Sequence, residues 1–266
     1  MTIRVGIGGW TYAPWRGLFY PPDLPHAREL AFAGTALRTL EINGTFYRTP
    51  SAKSCADWAR QVPDGFVFAL KATRYVTHRK VLAEAGESIA RFIGSGIVEL
   101  GDRLGPINWQ LAATKAFDPE DFAAFLALLP DSHDGVPLRH AVEMRHHSFA
   151  VPQAMALLHR YGVAAVFADH ADYPAFADLT ADFTYARLQQ AQAEVETGYD
   201  GPALTRWTRA AAAWAEGHIP EGLTPLEPGR TAPAGGRDVF IYVINGAKAR
   251  APACAMALQA RVDAAA

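Results

Sequence analysis

The segment Leu138–Asp169 reads LRHAVEMRHHSFAVPQAMALLHRYGVAAVFAD and decides the fold class. It begins and ends with short, mostly apolar runs, Leu138–Glu143 and Ala164–Asp169, which are typical of parallel strands covered by helices. Between these runs, apolar residues from Met155 to Tyr161 keep helical spacing, and Gly162 follows where a helix would end. The segment therefore predicts a strand–helix–strand unit of an α/β protein.

The same alternation of apolar runs and helical patterns continues through the chain. Thr49-Pro50 and Asp118-Pro119 each offer a capping residue followed by a proline, and the first pair predicts a helix through Trp58. Spacing also predicts helix between Ile89 and Leu100. An open doubly wound sheet is the alternative, but no GxGxxG motif follows the first run. Eight strand–helix units favour a parallel (β/α)8 TIM barrel. The eight predicted strands are Ile3–Gly8, Thr39–Ile42, Phe66–Lys71, Pro106–Leu111, Leu138–Glu143, Ala164–Asp169, Phe183–Leu188 and Val239–Val243.

Length and composition agree with this fold. The chain has 266 residues, of which 50% are hydrophobic, and α/β barrels run to about 250 residues. We expect a single TIM-barrel domain over residues 1–266, with the Pro- and Gly-rich segment 217–237 as a surface loop. The net charge of −2 gives no overall attraction to nucleic acid or to an anionic membrane.

The cysteines and the apolar stretches bear on location. Cys55 and Cys254 lack the CxxC spacing of a zinc site, and they suggest no disulfide framework. No apolar stretch approaches the roughly 18 residues of a membrane span, and the N-terminal residues enter the first strand without a signal peptide. We therefore expect a cytoplasmic protein that does not associate with membranes.

Polar side chains gather where the predicted strands end, which is where TIM-barrel enzymes place their active sites. Glu41 and Asn43 flank Ile42, so strand alternation points both to one face, and Glu143 and Arg145 alternate in the same way. We predict a polar pocket at this rim. Its candidate residues are Trp10, Glu41, Asn43, Lys71, His78, Gln110, Glu143, Arg145, Asp169, Tyr185, Arg187 and Asn245.

The residue types in this set suggest acid–base chemistry on an anion. Carboxylates beside cations can be tuned as acid and base, and basic side chains suit a carboxylate or phosphate. The alternative is that the charges are structural ion pairs that brace the barrel mouth, for instance Glu143 with Arg187. Because no histidine falls at a strand end to join the carboxylates, we expect no metal and no other cofactor. The candidate catalytic residues are Glu41, Glu143, Asp169 and Tyr185, and the other eight are candidate substrate-binding residues.

The segment 71–80 reads KATRYVTHRK and is strongly basic, with Tyr75 among its cations. Basic side chains with an interleaved aromatic ring are typical of surfaces that grip phosphates of nucleic acid. A solvated loop and helix start is the alternative interpretation. Nucleic acid is therefore an alternative partner to a small anion.

Several motifs resemble the YecE-like family, domain of unknown function 72. Residues 41–48 read EINGTFYR and match that family's EINSTFYR block apart from Gly44, and residues 68–78 read FALKATRYVTH, similar to its FAVKASRYITH block. The opening GWTY at residues 9–12 and VEMRHHSF at residues 142–149 resemble further blocks. The resemblance runs from about residue 5 to residue 258, except the segment 217–237.

The resemblance implies a TIM barrel and shared polar positions, but no established reaction. This chain departs from the family in two blocks. RLHG is replaced by RLQQ at residues 187–190, and FNND by VING at residues 243–246, after which Lys248 and Arg250 form a new basic pair. The implied shared positions are Glu41, Asn43, Lys71, His78, Gln110, Glu143, Arg145, Asp169, Tyr185, Arg187 and Asn245.

Three functions follow from the sequence as hypotheses. The first is an enzyme of the hydrolase or lyase type, independent of metal, that acts on a small anionic or phosphorylated substrate. The second is a nucleic-acid-binding or nuclease-like protein that uses the 71–80 segment and Arg250. The third is a non-catalytic binding protein for a phosphorylated metabolite.

Overall fold

Eight parallel strands form a closed barrel. The computed structural model describes residues 1–229 and 236–265. The strands are β1 (Ile3–Gly8), β2 (Thr39–Ile42), β3 (Val67–Lys71), β4 (Leu104–Gln110), β5 (His140–Glu143), β6 (Ala164–Asp169), β7 (Phe183–Leu188) and β8 (Asp238–Val243). Each strand pairs with its neighbours in sequence, and β1 pairs with β8 to close the barrel.

Helices surround this barrel. Short 3₁₀ helices lie at residues 13–15, 26–28, 44–46, 82–85, 97–103, 147–149 and 248–250. Outside the barrel, the two-residue strands Ser132–His133 and Val136–Pro137 pair as an antiparallel hairpin. The α-helices are α1 (Glu29–Ala36), α2 (Ala52–Gln61), α3 (Arg74–Thr77), α4 (Gly86–Ile93), α5 (Pro119–Ala127), α6 (Pro152–Arg160), α7 (Gly201–Ala215) and α8 (Ala251–Ala265).

The predicted (β/α)8 barrel is confirmed. β1, β2, β6 and β7 have the predicted bounds, and the other four strands differ from prediction by at most two residues at either end. The helix predicted between the strands of the 138–169 segment is α6, and Gly162 follows it with a φ of 63°, as a glycine does just beyond a helix end.

Two helix boundaries differ from prediction. Helix α2 is capped by Ser51 rather than Thr49, because the Ser51 hydroxyl accepts a hydrogen bond from the Ser54 amide at 3.2 Å, and the helix runs past Trp58. Asp118 caps α5 as predicted, accepting from two amides in the first turn. The pattern from residue 89 to 100 divides into α4 and a 3₁₀ helix because the left-handed Gly96 interrupts it.

One strand–helix unit lacks its helix. In the described chain, no helix lies between β6 and β7, and residues 170–182 form an irregular segment there. This segment still covers the barrel, because Phe176 and Leu179 are buried. The Thr180 hydroxyl donates to the Val163 carbonyl at 2.6 Å and accepts from the Ala165 amide at 2.7 Å, which ties the segment to the start of β6.

The predicted surface loop at 217–237 is described in part. Residues 217–229 and 236–237 form neither helix nor strand, and residues 230–235 lie outside the described part of the chain. The Asp178 carboxylate anchors this loop by accepting hydrogen bonds from the amides of residues 226 and 227, each at 2.9 Å. Over the described residues, none of the helices has both the length and the apolar character needed to cross a membrane.

Strand alternation divides the core into two layers. One layer lies between barrel and helices and holds residues such as Leu40 and Phe167. The other fills the barrel itself with residues such as Ala69, Tyr185 and Tyr242. Because side chains alternate along each strand, the inward-facing polar residues stack on this inner layer at the carboxyl ends of the strands.

Candidate functional site

A pocket of about 360 Å³ opens at the carboxyl ends of the strands. Its walls come from several strands at once, since Gly8 ends β1, Lys71 ends β3 and Gln110 ends β4. Gly8 matters here because a side chain at this position would meet the Asn43 amide at 2.6 Å. The polar side chains that line the pocket are Asn43, Tyr47, Lys71, Gln110, Arg145, Arg187, Asn245 and Lys248.

Arg187 forms the centre of the pocket floor. Its side chain is only 2% exposed and binds two carboxylates. Nη2 donates to Glu41 Oε1 at 2.9 Å, and Nη1 donates to Glu143 Oε2 at 2.5 Å and to Gln110 Oε1 at 2.9 Å. Burial disfavours the charged guanidinium, but Glu143 and Glu41 outweigh this and raise the pKa of Arg187 above its usual value.

Arg145 lies beside Arg187 and shares its acceptors. Nε donates to Glu143 Oε1 and Nη2 donates to Gln110 Oε1, each at 2.7 Å. The guanidinium also lies 4.6 Å from the centre of the Tyr173 ring, a cation–π distance. Gln110 therefore accepts from both arginines and holds them side by side.

Glu143 is completely engaged beneath the pocket. Arg145 binds one of its oxygens and Arg187 the other, and Asn108 Nδ2 lies 3.4 Å from the second oxygen. Burial favours the neutral acid, but the two arginines outweigh it and hold the pKa of Glu143 below its usual value. At neutral pH this carboxylate is ionised and is a hydrogen-bond acceptor.

Glu41 is held in the same way on the opposite side of Arg187. It binds Arg187 through Oε1 and accepts a 2.5 Å hydrogen bond from the Tyr185 hydroxyl at Oε2. Burial, and then the charge of Glu41, raises the pKa of Tyr185 well above its usual range, so this hydroxyl keeps its proton. The ion pair predicted between Glu143 and Arg187 is therefore present, and Glu41 extends it to a three-residue network.

The pocket presents positive charge to solvent. Four cations line it, whereas Glu41 and Glu143 are fully buried and do not. With Lys71 protonated, the six side chains carry an excess of two positive charges. A cleft of this sign raises the local concentration of anions. The four cations are Lys71, Arg145, Arg187 and Lys248.

Lys71 differs from the arginines in its surroundings. Its amine lies 4.1 Å from the centre of the Phe46 ring. Burial, followed by repulsion from Arg187, lowers the pKa of Lys71 to about 8, although Glu41 and Glu143 partly offset this. His78 meets Phe46 edge to face at 5.2 Å between ring centres but does not line the pocket, and burial and then the Lys71 charge lower its pKa.

Asn245 and Lys248 complete the wall after β8. Asn245 has a φ of +66°, in the left-handed region that asparagine tolerates better than most residues, and its amide donates to Gln189 Oε1 at 3.1 Å. The Lys248 amine lies 4.6 Å from the Tyr12 ring centre and 5.6 Å from that of Trp15. The basic residue that departs from the family pattern thus reaches the pocket.

Besides His78, two predicted site residues lie away from the central pocket. Asp169 faces the helices rather than the barrel interior, because it lies on the same outward face of β6 as Phe167. Its carboxylate accepts hydrogen bonds from Gln190 and Tyr199. It lines a separate, largely apolar pocket of about 900 Å³ beside α7. Trp10 lies in an adjoining groove of about 590 Å³.

The groove and the central pocket adjoin each other. Trp10 meets Trp58 edge to face in the groove, with 5.6 Å between ring centres. Gly8, Asn43 and Lys248 line both spaces. These three residues therefore form the boundary between the pocket cations and Trp10.

Three residues of the site were missed by the sequence analysis. Asn108 alternates with Gln110 along β4, so the period of the predicted strand could have identified it. Tyr47 and Phe46 follow β2 in a 3₁₀ helix and its cap, and no local pattern signals their place beside Lys71. Among the described residues, no three His, Cys, Asp or Glu side chains come together as metal ligands do.

Fold and pocket together define a (β/α)8-barrel protein with a cation-lined pocket at the carboxyl ends of its strands. The chain belongs to the DUF72 family, because the family model described as "Protein of unknown function DUF72" matches residues 4–266. The family resemblance seen in the sequence motifs is thereby confirmed. Among proteins of curated function, none matches this chain significantly.

Solved structures support the fold. A DUF72 family protein from Thermotoga maritima is 21% identical, with a TM-score of 0.75 over 99% of this chain and 100% of that chain. A DUF72 family protein from Enterococcus faecalis is 17% identical, with a TM-score of 0.71 over 98% and 97%. A D-psicose 3-epimerase, solved in the presence of D-fructose, has 10% identity and a TM-score of 0.52 over 98% and 97%. At these identities the likeness shows the fold alone.

Proposed function

We propose that the protein is an enzyme of the hydrolase or lyase type that acts on a small anionic substrate in the central pocket. One observation carries this proposal: two arginines line the pocket while the carboxylates that pair with them lie underneath. An anion entering the pocket meets these arginines, whose carboxylate partners are buried, and two lysines that have no carboxylate partner among the described residues. TIM-barrel enzymes bind their substrates at this face of the barrel.

Arg145 is the main anion-binding residue of this proposal. Its Nε and Nη2 donate to Glu143 and Gln110 beneath it, and Nη1 has no hydrogen-bond acceptor among the described residues. A charge-assisted hydrogen bond contributes about 1.5–3 kcal/mol. Loss of this side chain should therefore weaken anion binding by roughly 10- to 150-fold.

The geometry favours a positioning role for the predicted catalytic carboxylates. Glu41 and Glu143 are fully buried and their oxygens accept hydrogen bonds from the arginines, and the Tyr185 hydroxyl donates its proton to Glu41. In this proposal the two carboxylates fix and orient the arginines, as residues that support a binding side chain through hydrogen bonds often do. Proton transfer then falls to groups nearer the pocket, and Lys71 has a pKa of about 8, in the range a proton-transfer group needs.

A thermal-shift panel tests the proposal. Inorganic phosphate, small carboxylates and phosphorylated metabolites are each added to the wild-type protein, to Arg145→Ala and to Arg91→Ala. Arg91 is the matched control because its ion pair with Glu87 is on the surface of α4. A ligand at 100 times its Kd should add about 2.7 kcal/mol of stability. We expect the full shift in wild type and Arg91→Ala, and in Arg145→Ala a stabilisation reduced to about 0.3–1.4 kcal/mol at the same ligand concentration. Equal shifts in all three proteins would overturn the pocket assignment.

Turnover separates an enzyme from a binding protein. Ligands that shift the Tm are incubated with the protein and followed for products of hydrolysis or elimination by NMR. Consumption that is lost in Arg145→Ala supports the enzyme. Tight binding with no consumption of any bound ligand would favour the non-catalytic binding protein instead.

Nucleic acid is the second candidate partner, and one observation favours it. Tyr47 and Tyr75 are 65% and 61% exposed at the rim, and the Arg74 guanidinium lies 6.0 Å and 5.7 Å from their ring centres. Exposed rings beside a cation are typical of surfaces on which single-stranded bases stack. This candidate requires binding of short oligonucleotides that weakens steeply with salt and is lost in Tyr75→Ala.

A further inference from the structure

We propose that the side-chain amine of Lys71 is a nucleophile that forms an imine with the carbonyl carbon of a small substrate carrying a carboxylate or a phosphate. This inference rests on the proposed anion-binding function and adds both a substrate class and a covalent step. It assigns the reaction to the lyase side of the two types named above.

The first argument is the isolation of the amine from carboxylates. Lys71 is the last residue of β3 and points inward like Ala69, into the central pocket. Within the described residues, no carboxylate oxygen lies within ion-pair distance of its Nζ, because Arg187 and Arg145 engage those of Glu41 and Glu143. The ammonium form of Lys71 is therefore stabilised less than that of a paired lysine.

The second argument is the aromatic seat. The amine lies over the face of Phe46, which is buried and also contacts His78 edge to face. The ring face attracts the ammonium form through a cation–π contact, which fixes the position of the nitrogen, and the ring excludes water from that side. Desolvation beside other cations is how proteins activate a lysine as a nucleophile.

The third argument is the supply of neutral amine. The charged groups around Lys71 come from several elements, and a pKa of about 8 is their combined result with burial. At pH 7 the neutral fraction is then roughly 300-fold larger than for a lysine of ordinary pKa. The charged groups that act on Lys71 or lie beside it are Glu41 on β2, Glu143 and Arg145 at the end of β5, Arg187 on β7, and Arg74 and His78 after β3.

The covalent step needs no oxidant, reductant or other co-reactant. The neutral Lys71 nitrogen attacks the carbonyl carbon, and the carbonyl electron pair moves to oxygen. A proton passes from nitrogen to that oxygen to give a carbinolamine. Its hydroxyl group takes a proton from solvent and leaves as water while the nitrogen lone pair forms the C=N bond, which gives a protonated imine. The protonated imine then withdraws electrons from the carbon next to it. A proton or a carbon substituent can therefore leave that carbon while its bonding electrons stay with the substrate. Hydrolysis of the imine restores the amine.

Reductive trapping tests this inference. The protein is treated with pyruvate and sodium cyanoborohydride at pH 7.5, and the adduct is measured by intact mass and located by peptide mapping. We expect one adduct per chain, on Lys71, that is lost in Lys71→Arg and kept in Lys80→Arg, a lysine of the same segment whose amine does not line the pocket. The trapping rate should rise with pH and level off above about 8.

The outcomes separate this inference from the proposed function. A parallel thermal-shift measurement uses lactate and inorganic phosphate, which bind as anions but have no ketone or aldehyde carbon. If these ligands stabilise the protein through Arg145 and pyruvate leaves no adduct on Lys71, the imine is wrong and the anion pocket stands. Adducts spread over surface lysines, or located on Lys248, also overturn it. Peptide mapping of the wild type decides the matter even if Lys71→Arg fails to fold.

Discussion

Replacing Arg187 by methionine tests the buried network most severely. The substitution removes the shared cation of Glu41 and Glu143, two carboxylates with no exposed surface. Removing one partner of a buried ion pair costs about 3–5 kcal/mol, because the other charge is left uncompensated. In a chain of this length each kcal/mol lowers Tm by roughly 2–4 °C. We therefore expect a Tm about 6–20 °C below that of the wild type.

The deficit of Arg187→Met should shrink as the pH falls. Without the arginine, one buried carboxylate has no cation bound to it, and the folded variant removes that cost by taking up a proton, so its stability rises as the pH falls from 7 to 5. In the wild type the pKa of Glu143 is lowered. Its contribution is therefore present above the unfolded pKa of about 4.3 and is lost only below it. Between pH 7 and pH 5, the difference in stability between the two proteins should be smallest at pH 5.

Denaturant unfolding at pH 7 and pH 5 measures both effects. Adding Glu41→Gln to Arg187→Met removes the carboxylate that is left without a bound cation, because Arg145 still binds Glu143, and should recover about 0.5–3 kcal/mol. Arg38→Met is the control, because its ion pair with Asp263 is exposed and should contribute less than about 1 kcal/mol. A loss for Arg187→Met no larger than for Arg38→Met, or one that grows toward pH 5, would refute the description of a buried charge network.

Three further substitutions test other parts of the structure. Tyr185→Phe removes the proton donor to Glu41 and should cost about 1–3 kcal/mol in denaturant unfolding; an unchanged midpoint would contradict that hydrogen bond. Asp118→Ala removes the cap of α5 and should cost about 0.5–2 kcal/mol, and no loss would show that the cap contributes nothing. Asp178→Ala should speed hydrogen exchange at the amides of residues 226 and 227, and unchanged protection would mean that something else anchors that loop.

The fold could be predicted from the sequence because each strand–helix unit carries local signals. The apolar runs, the Asp118 cap and Gly162 are all readable within a few residues. The segment after β6 shows where this fails. Residues 170–182 cover the barrel without forming a helix, and their attachment through Thr180 depends on contacts that no local period reports.

The sequence predicted the positions of some candidate site residues but not of others, and strand geometry explains the difference. Glu41 and Arg187 face inward because strand alternation and barrel closure place them there. Asp169 was predicted as a site residue because it ends a strand. Side chains alternate along β6, so with Ala168 facing into the barrel, Asp169 faces the helices outside it.

Which carboxylate binds which arginine depends on pairing between distant strands. Gln110 and Glu143 are neighbours across β4 and β5, and this places both acceptors under Arg145. The sequence could suggest an ion pair between Glu143 and Arg187 but could not place Glu41 on the other side of the same guanidinium. Burial of these carboxylates is what shifts their expected role from proton transfer to positioning.

Crystals soaked in selenate would test the central claim, that the pocket binds an anion, most directly. Selenate resembles phosphate and sulfate in shape, and its selenium scatters anomalously, so its position is seen independently of any model of the protein. We predict an anomalous peak in the central pocket whose oxygens lie about 3 Å from the Arg145 guanidinium. An empty pocket, with selenate bound only at surface arginines and lysines, would contradict the account.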